Sequence, residues 1–205
     1  LSMFYKRVSK EEDSEKKGLF CPKNGFMYTT WALLTHNSIS MYSKQNLVAS
    51  LSNEFRVIRH LITKMPEGAM DYKPTEKQRT TLELLQYLSI VAPATIDCVY
   101  QGDTKAFMPY VEISKTVTAD NFSEIFDRHE KLAHEILEKF TDETLHEKIN
   151  LFNMGEMTKG VYLVETILKW IVAYKMQLFL YIKAAGNTSI GTSNLWGGMD
   201  TPPKA

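Results

Sequence analysis

From about Ser43 onward, apolar residues recur every three or four positions, as one face of an amphipathic helix requires. The first stripe consists of Leu47, Leu51, Phe55, Ile58, Ile62 and Met65. Pro66 and Gly68 are helix-terminating residues, so the pattern predicts that this first helix ends near Lys64.

A second helix is predicted to begin at Thr80, because a threonine followed three residues later by Glu83 is a capping box. Its apolar stripe consists of Leu84, Leu85, Leu88, Val91, Ile96 and Val99. Pro93 removes one backbone donor and predicts a kink near Ser89. Gly102 is expected to end the helix.

The connection from Gly102 to Thr118 is long for neighbouring antiparallel helices, which are usually joined by about 2 to 8 residues. This length favours a crossover that runs along the bundle. A third helix is expected after Asp120 as its N-cap. Its stripe consists of Phe122, Ile125, Phe126, Leu132, Ile136, Leu137 and Phe140.

A fourth helix is predicted from about Val161 to Ala185, after an irregular or hairpin-like link from Thr141 to Lys159. Its inward positions are Leu163, Ile167, Trp170, Ile171, Tyr174, Leu178 and Tyr181. Four amphipathic helices without a convincing strand pattern bury their stripes only against one another. The predicted fold is therefore an all-α antiparallel four-helix bundle over residues 41–187, with a long crossover between helices two and three.

Both ends of the chain depart from this pattern. Residues 1–40 combine a charged run with an aromatic-rich stretch and have no sustained period, so we assign them no fold. They also lack the features of a secretory leader, and one hypothesis makes Met41 the natural start. The tail, residues 188–205, is expected to be extended and draped on the bundle. We expect Trp196 to dock on its own chain, with a contact to a partner chain as the alternative.

Composition narrows the classes of function. Lys+Arg and Asp+Glu number 24 each, so no net charge draws the chain to nucleic acid or to an anionic membrane. Cys21 and Cys98 form no CxxC pair, which favours a reducing, cytoplasmic compartment. A membrane span is not expected, because the best candidate, Ile171 to Ile182, falls short of about 20 apolar residues and contains Lys175 and Gln177.

Two motifs give the sequence a resemblance to a known family. The segment from Met70 to Leu88 resembles the "aromatic-x-Pro … Arg-Ser/Thr … Glu-Leu-Leu-x-His-Leu" entrance to the second helix of DinB/YfiT-like proteins. The stretch from Trp170 to Gly186 resembles their fourth helix, "His-x-x-x-His-Arg-x-Gln-Leu … Leu-Gly". The likeness extends over roughly Tyr42 to Asn187, including the long second connection.

This resemblance implies a bundle that often forms homodimers and binds a divalent metal, such as nickel or zinc, through three histidines. Characterised members are thiol-dependent transferases and isomerases. Here the three motif positions carry Tyr87, Trp170 and Tyr174 instead. Indole has no available lone pair, and a phenol with a pKa of about 10 is a poor ligand for borderline metals. We therefore predict no metal cofactor in this chain.

The same positions suggest a ligand pocket at the former metal end. Tyr87, Trp170 and Tyr174 could line a pocket for a small molecule, or simply fill the vacated space as core. Arg79 could grip a carboxylate or thiolate, or tie its loop to the bundle. Gln177 matches the family's glutamine and is expected to serve helix packing.

The remaining candidates receive structural interpretations. His60, His129 and His134 lie near the apolar stripes but form no pair four residues apart, so a metal site is not expected. Cys98 is interpreted as a small buried apolar residue. Lys175, at the family's arginine, keeps the charge but loses the fork geometry.

The sequence thus predicts a metal-free DinB-like bundle that binds a small molecule or a partner, and that forms a homodimer. No residue pattern requires catalysis. One alternative is a transferase-like enzyme that uses a small thiol cosubstrate through Arg79 and the tyrosines. Another is a structural dimerisation module with the tail as a clasp. The identity of the ligand stays open.

Overall fold

The computed structural model describes residues 42–201, and the expectations for residues 1–40 lie outside this range. Its helices are α1 (Lys44–Ile62), α2 (Thr81–Gln101), α3 (Met108–Ser114), α4 (Phe122–Glu138), α5 (Asp142–His146), α6 (Lys159–Leu163) and α7 (Lys169–Ala184). Strands β1 (Lys148–Asn150) and β2 (Glu156–Thr158) pair antiparallel. The π-helical turn Val164–Leu168 joins α6 to α7, so these elements form the predicted fourth helix.

The chain returns along α2 after that helix ends. The connection contains a 3₁₀ turn, Thr104–Phe107, and α3. Tyr110 donates from its hydroxyl to Asp97 (3.2 Å), and Gln86, near the start of α2, donates to the Val117 carbonyl (3.0 Å). The predicted crossover is therefore confirmed, and it is helical over much of its length.

This crossover makes α2 and α4 parallel. His129 in the middle of α4 bonds to Ser89 in the middle of α2. Phe140, just past the end of α4, packs on Tyr100 near the end of α2. By contrast, α1 runs antiparallel to α4, because Lys44 at the start of α1 donates to the Phe140 carbonyl (3.2 Å). The all-α bundle with its long crossover is thus as predicted.

The core lies between α1, α2, α4 and the α6–α7 helix, and it contains most of the stripe residues named above. The capping box is confirmed, since Thr80 accepts from the Glu83 amide (3.1 Å) and Glu83 accepts from the Thr80 amide (2.7 Å). The prediction that Asp120 is the N-cap of α4 is wrong. The N-cap of α4 is Asn121, whose side chain instead accepts from the amide of Thr118 (2.7 Å) and closes the preceding loop.

The link before the fourth helix is regular over part of its length. It contains α5 and the β1–β2 hairpin, so the hairpin-like alternative for residues 141–159 is confirmed. Each strand has only three residues, too few for an alternating pattern to be recognised. The hairpin loop places Phe152 (φ 53°) and Asn153 (φ 56°) in the left-handed region.

The tail lies against α1 of its own chain. The expectation of an extended tail is wrong over Ser193–Gly197, which form one π-helical turn. Leu195 in this turn and Ile190 before it are buried in the main core. A chain segment that was expected to lie on the surface therefore contributes to the core.

Helix α2 is the most apolar helix of residues 42–201. Within that range it alone is long and apolar enough to cross a membrane, with a mean hydropathy of 1.3 over its best window. The expectation that Ile171 to Ile182 is the best candidate is therefore wrong. Because 72% of the α2 window is buried inside the bundle, α2 is apolar for the reason that core helices usually are.

Pro93 explains one buried polar contact in this helix. Proline has no amide hydrogen, so the Ser89 carbonyl, four residues earlier, loses its helical donor. His129 on α4 replaces it, with Nδ1 lying 2.7 Å from the Ser89 oxygen. Because a carbonyl oxygen only accepts, Nδ1 carries the proton. Burial also lowers the pKa of His129, which favours the neutral ring.

This arrangement predicts energetic coupling between Pro93 and His129. Replacing His129 by leucine leaves the Ser89 carbonyl without a donor, at an expected cost of about 1–3 kcal/mol in unfolding free energy. In the Pro93→Ala background the new amide satisfies that carbonyl, so the same replacement costs less. Urea denaturation of the four proteins measures the difference.

His134→Leu is the matched control. His134 bonds to the hydroxyl of Ser52 (3.2 Å) and not to a carbonyl of α2, so Pro93→Ala leaves the cost of its replacement unchanged. If His129→Leu lowers the unfolding free energy equally in both backgrounds, His129 does not replace the donor that Pro93 lacks.

Candidate functional site

Tyr87 and Tyr174 meet where α2 faces α7. Their ring centroids are 4.8 Å apart and the rings are inclined by 63°, within the usual range for an aromatic pair. Both side chains are half-buried. Two of the three aromatics at the motif positions therefore contact each other between the two helices.

Trp170 has a different neighbour. Its ring packs edge-on against Phe152 of the hairpin loop, with centroids 5.3 Å apart. It lies one helical turn before Tyr174 on the same helix. The structure thus brings Tyr87 and Tyr174 together and ties Trp170 to the hairpin.

Arg79 lies over the tyrosine pair. Its guanidinium carbon is 4.6 Å from the ring centroid of Tyr87 and 5.8 Å from that of Tyr174, which are cation–π distances. The residue is exposed. Within residues 42–201, no carboxylate lies within ion-pair distance of this guanidinium. The side chain is therefore positioned by the two rings, and its donors make no hydrogen bond to any other described residue.

Gln177 holds the backbone of Arg79 in place through an intermediate residue. Its side-chain amide donates to the hydroxyl of Tyr181 (2.7 Å), which in turn donates to the Arg79 carbonyl (3.1 Å). The ring of Tyr181 packs edge-on against Tyr72, with centroids 5.5 Å apart. These contacts fix the loop before α2 against α7.

Sequence reasoning did not assign Tyr72 and Tyr181 to the site. Tyr181 was recognised only as an inward position of the fourth helix, and Tyr72 only as the aromatic of the "aromatic-x-Pro" motif. The sequence patterns therefore included both tyrosines. The contact between their rings depends on the distance between two chain segments, which neither motif encodes.

The residues at the family's metal positions do not fit a divalent metal. Burial, and next the neighbouring Tyr174, raise the pKa of Tyr87 above its ordinary value, although Arg79 partly opposes the shift. Tyr87 is therefore a neutral phenol near pH 7, and the indole of Trp170 offers no lone pair. In the described part of the chain, no three His, Cys, Asp or Glu side chains are grouped so as to hold a metal ion.

The histidines are held by separate partners. His60 Nε2 lies 3.0 Å from the Asn194 amide nitrogen, and His134 Nε2 lies 3.2 Å from the Ser52 hydroxyl. His129 bonds to α2, as described above. Each of these side chains thus has a structural contact of its own.

Cys98 is a poor nucleophile. It is fully buried near the end of α2, and burial, followed by the charge of Asp97, raises the pKa of its thiol to about 11. At neutral pH the reactive thiolate is therefore scarce. This agrees with its interpretation as a small core residue.

A polar cleft of about 350 Å³ lies between the end of α2 and the hairpin loop. It is lined by Gly102, Asp103, Thr104, Asn150, Leu151, Phe152 and Asn153. The sequence did not indicate this cleft, because its two walls are separated by the whole of α4. Through Phe152 it adjoins Trp170.

The sequence also gave no sign of a buried ion pair between α1 and α7. Lys175 Nζ lies 2.5 Å from Glu54 Oε2, and the two side chains are only 1% and 11% exposed. The ring of Trp196, from the tail, lies over the ammonium with its centroid 4.6 Å away. A lysine and a glutamate in amphipathic helices are usually placed at the surface, so only the fold identifies them as partners.

Comparison with known proteins supports the fold. No family model and no curated protein matches this sequence. Among solved structures, the chain is similar to a DinB-like protein (YjoA) from Bacillus subtilis, with a TM-score of 0.58 and 21% sequence identity. The similarity covers 71% of this chain and 94% of that one. With its helical bundle and long crossover, the chain has a DinB-like fold.

Proposed function

We propose that this chain is a metal-free, DinB-like binding protein whose ligand is a small organic anion held at Arg79. The supporting observation is the guanidinium of Arg79, which is exposed and has no carboxylate partner within the described residues. An arginine held in place but not neutralised is suited to an incoming carboxylate or thiolate.

The surroundings of Arg79 favour a ligand with an apolar part. The rings of Tyr87 and Tyr174 lie directly beneath the guanidinium and are half-buried. Because the pKa of Tyr87 is raised, its hydroxyl keeps its proton near pH 7 and can donate a hydrogen bond. The anion would bond to Arg79 at the surface and the remainder of the ligand would contact the rings.

The contacts behind the site favour binding over a purely structural role for Arg79. Its backbone is already fixed by Tyr181 and Gln177, so the side chain is not needed to tie the loop to the bundle. A positioned donor group also loses less conformational entropy when a ligand binds. A small thiol would be one such ligand, which keeps the thiol-dependent enzyme as a special case.

Substitution of Arg79 tests this proposal. We expect Arg79→Gln to weaken binding of a small carboxylate or thiol by about tenfold or more, because a hydrogen bond to a charged group contributes roughly 1.5–3 kcal/mol. Arg79→Lys should bind with intermediate affinity, since it keeps the charge without the fork. Ligands are selected by a thermal-shift screen and their affinities measured by calorimetry.

Arg128→Gln is the control, because Arg128 is an exposed arginine on α4 whose nearest carboxylate, Glu124, is 3.9 Å away. Its affinity should equal that of the unchanged protein. Equal binding by Arg79→Gln, or no binding by any anion in the set, contradicts the proposal.

The loss of the metal site has its own test. Metal analysis of the unchanged protein is expected to find no stoichiometric nickel, zinc or iron. Restoring histidine at Tyr87, Trp170 and Tyr174 together should create a three-histidine site that retains nickel or zinc. A second variant with histidines at Tyr87, Lys169 and Ala173 moves the α7 pair to exposed positions, so it should retain much less metal.

Either of two results contradicts this expectation. Stoichiometric metal in the unchanged protein would show a site other than the one the resemblance indicates. Equal retention by the two histidine variants would show that the fourth-helix positions are assigned in the wrong register.

A homodimer is a second proposal, which several exposed apolar side chains favour. Leu180 on α7 is 54% exposed, and Met199 in the tail is 57% exposed. Large apolar side chains at a surface are common in subunit interfaces.

We expect a dimer by sedimentation velocity and a shift toward monomer in Leu180→Glu. A protein that is monomeric at all concentrations contradicts this role, and Lys183→Glu, nearby on α7, controls for the change in charge.

A further inference from the structure

The tail segment Gly191–Asp200, which we call the cover, lies over the ion pair of Lys175 and Glu54. Trp196 is 51% exposed, but the other face of its ring contacts the Lys175 ammonium with a centroid distance of 4.6 Å. Lys175 is almost completely buried beneath it. The ring is therefore the outer wall of the site that contains this amine.

The ion pair beneath the cover has few partners. Lys175 Nζ lies 2.5 Å from Glu54 Oε2, and within residues 42–201 neither atom makes a hydrogen bond of good geometry. A buried ammonium with a single carboxylate partner loses most of its hydration. Access of water would therefore stabilise both charges individually, and the cover keeps water out.

Polar contacts at the rim hold the cover to α1. Asp200 accepts from Lys64 (2.6 Å), and the Gly197 carbonyl accepts from Arg56 (2.9 Å). Gly198 fits against α1 at a φ of 55°, where an added Cβ would lie 2.7 Å from the Arg56 side chain. The sequence of the cover is thus matched to the surface on which it lies.

These contacts differ in strength from those of the helices. The rim pairs are largely exposed, and exposed ion pairs contribute little to stability. Asn194 and Leu195 anchor the cover in the bundle, whereas Trp196–Asp200 contain no buried residue and lie outside α1 to α7. Trp196 and the residues after it can therefore separate without breaking one of these helices. Segments with few buried contacts open locally more often than a helix core does.

We propose that the cover is a reversible lid, and that Lys175 is a concealed amine that meets solvent and small electrophiles only when Trp196 lifts. With the cover open, the side-chain amine comes within reach of dissolved electrophiles, which an unprotonated amine attacks as a nucleophile. Opening therefore changes the access of reagents to Lys175. The other buried lysine of residues 42–201, Lys159, lies under the ring of Tyr100 and away from the cover.

Competitive acetylation of the full chain tests the lid. An N-hydroxysuccinimide ester is applied under native conditions, and mass spectrometry gives the rate at each lysine relative to exposed Lys131. We expect Lys175 to react slowly in the unchanged protein. Trp196→Ala should raise its relative rate by about tenfold, since a desolvated cation–π contact is of that order in population.

Two controls separate opening of the lid from general loosening. Lys159 is also buried, but it pairs with Glu147 and the Tyr100 carbonyl, away from the cover, so its rate should not change. Trp170→Ala removes a tryptophan that packs on the hairpin, and it should leave Lys175 slow.

Asp200→Asn gives a milder opening, because it weakens the contacts of this carboxylate with Lys64, Asn194 and His60 at the rim but leaves Trp196 in place. We expect a smaller increase at Lys175 in this variant, with helix content unchanged by circular dichroism. The proposal is overturned if Lys175 reacts as fast as Lys131 in the unchanged protein. It is also overturned if neither Trp196→Ala nor Asp200→Asn changes the rate, or if Lys159 accelerates together with Lys175.

Discussion

The packing of α2 against its neighbours is the interaction on which the rest of the structure depends. This helix is buried over most of its length, and the crossover returns the chain so that α4 lies parallel to it. Apolar burial is the dominant favourable contribution to folding. The other helices are therefore positioned around α2 so that its apolar surface is buried. The same packing places Tyr87 opposite Tyr174, and it supplies His129 to the carbonyl that Pro93 leaves free.

Aromatic rings and a cation meet where α2 faces α7. Tyr87 and Tyr174 contact each other, and Arg79 lies over both rings. A cation above aromatic rings is attracted by their quadrupoles, so within residues 42–201 the guanidinium is positioned by rings and not by a carboxylate. This exposed positive charge is the feature on which the proposed binding of an anion depends.

Lys175 also contacts an aromatic ring, but its burial and its partners differ from those of Arg79. Arg79 is exposed and rests on its rings, while Lys175 is buried with Glu54 and has Trp196 above it. The desolvation of a buried ion must be offset by close partners, so Lys175 depends on both Glu54 and the exclusion of water. The tail thus affects the interior of the bundle, although its composition is that of a surface segment.

The sequence by itself determined the four long helices, the Thr80–Glu83 capping box and the long crossover, because periodicity and capping are local properties of the chain. It did not predict the short helices α3 and α5. It also identified Tyr87, Trp170, Tyr174 and Arg79 as positions of interest. Only the tertiary structure decided that Tyr87 meets Tyr174 while Trp170 packs on Phe152, and that Glu54 and Lys175 are partners. Such contacts join side chains from distant parts of the sequence, and their distances depend on how whole helices pack.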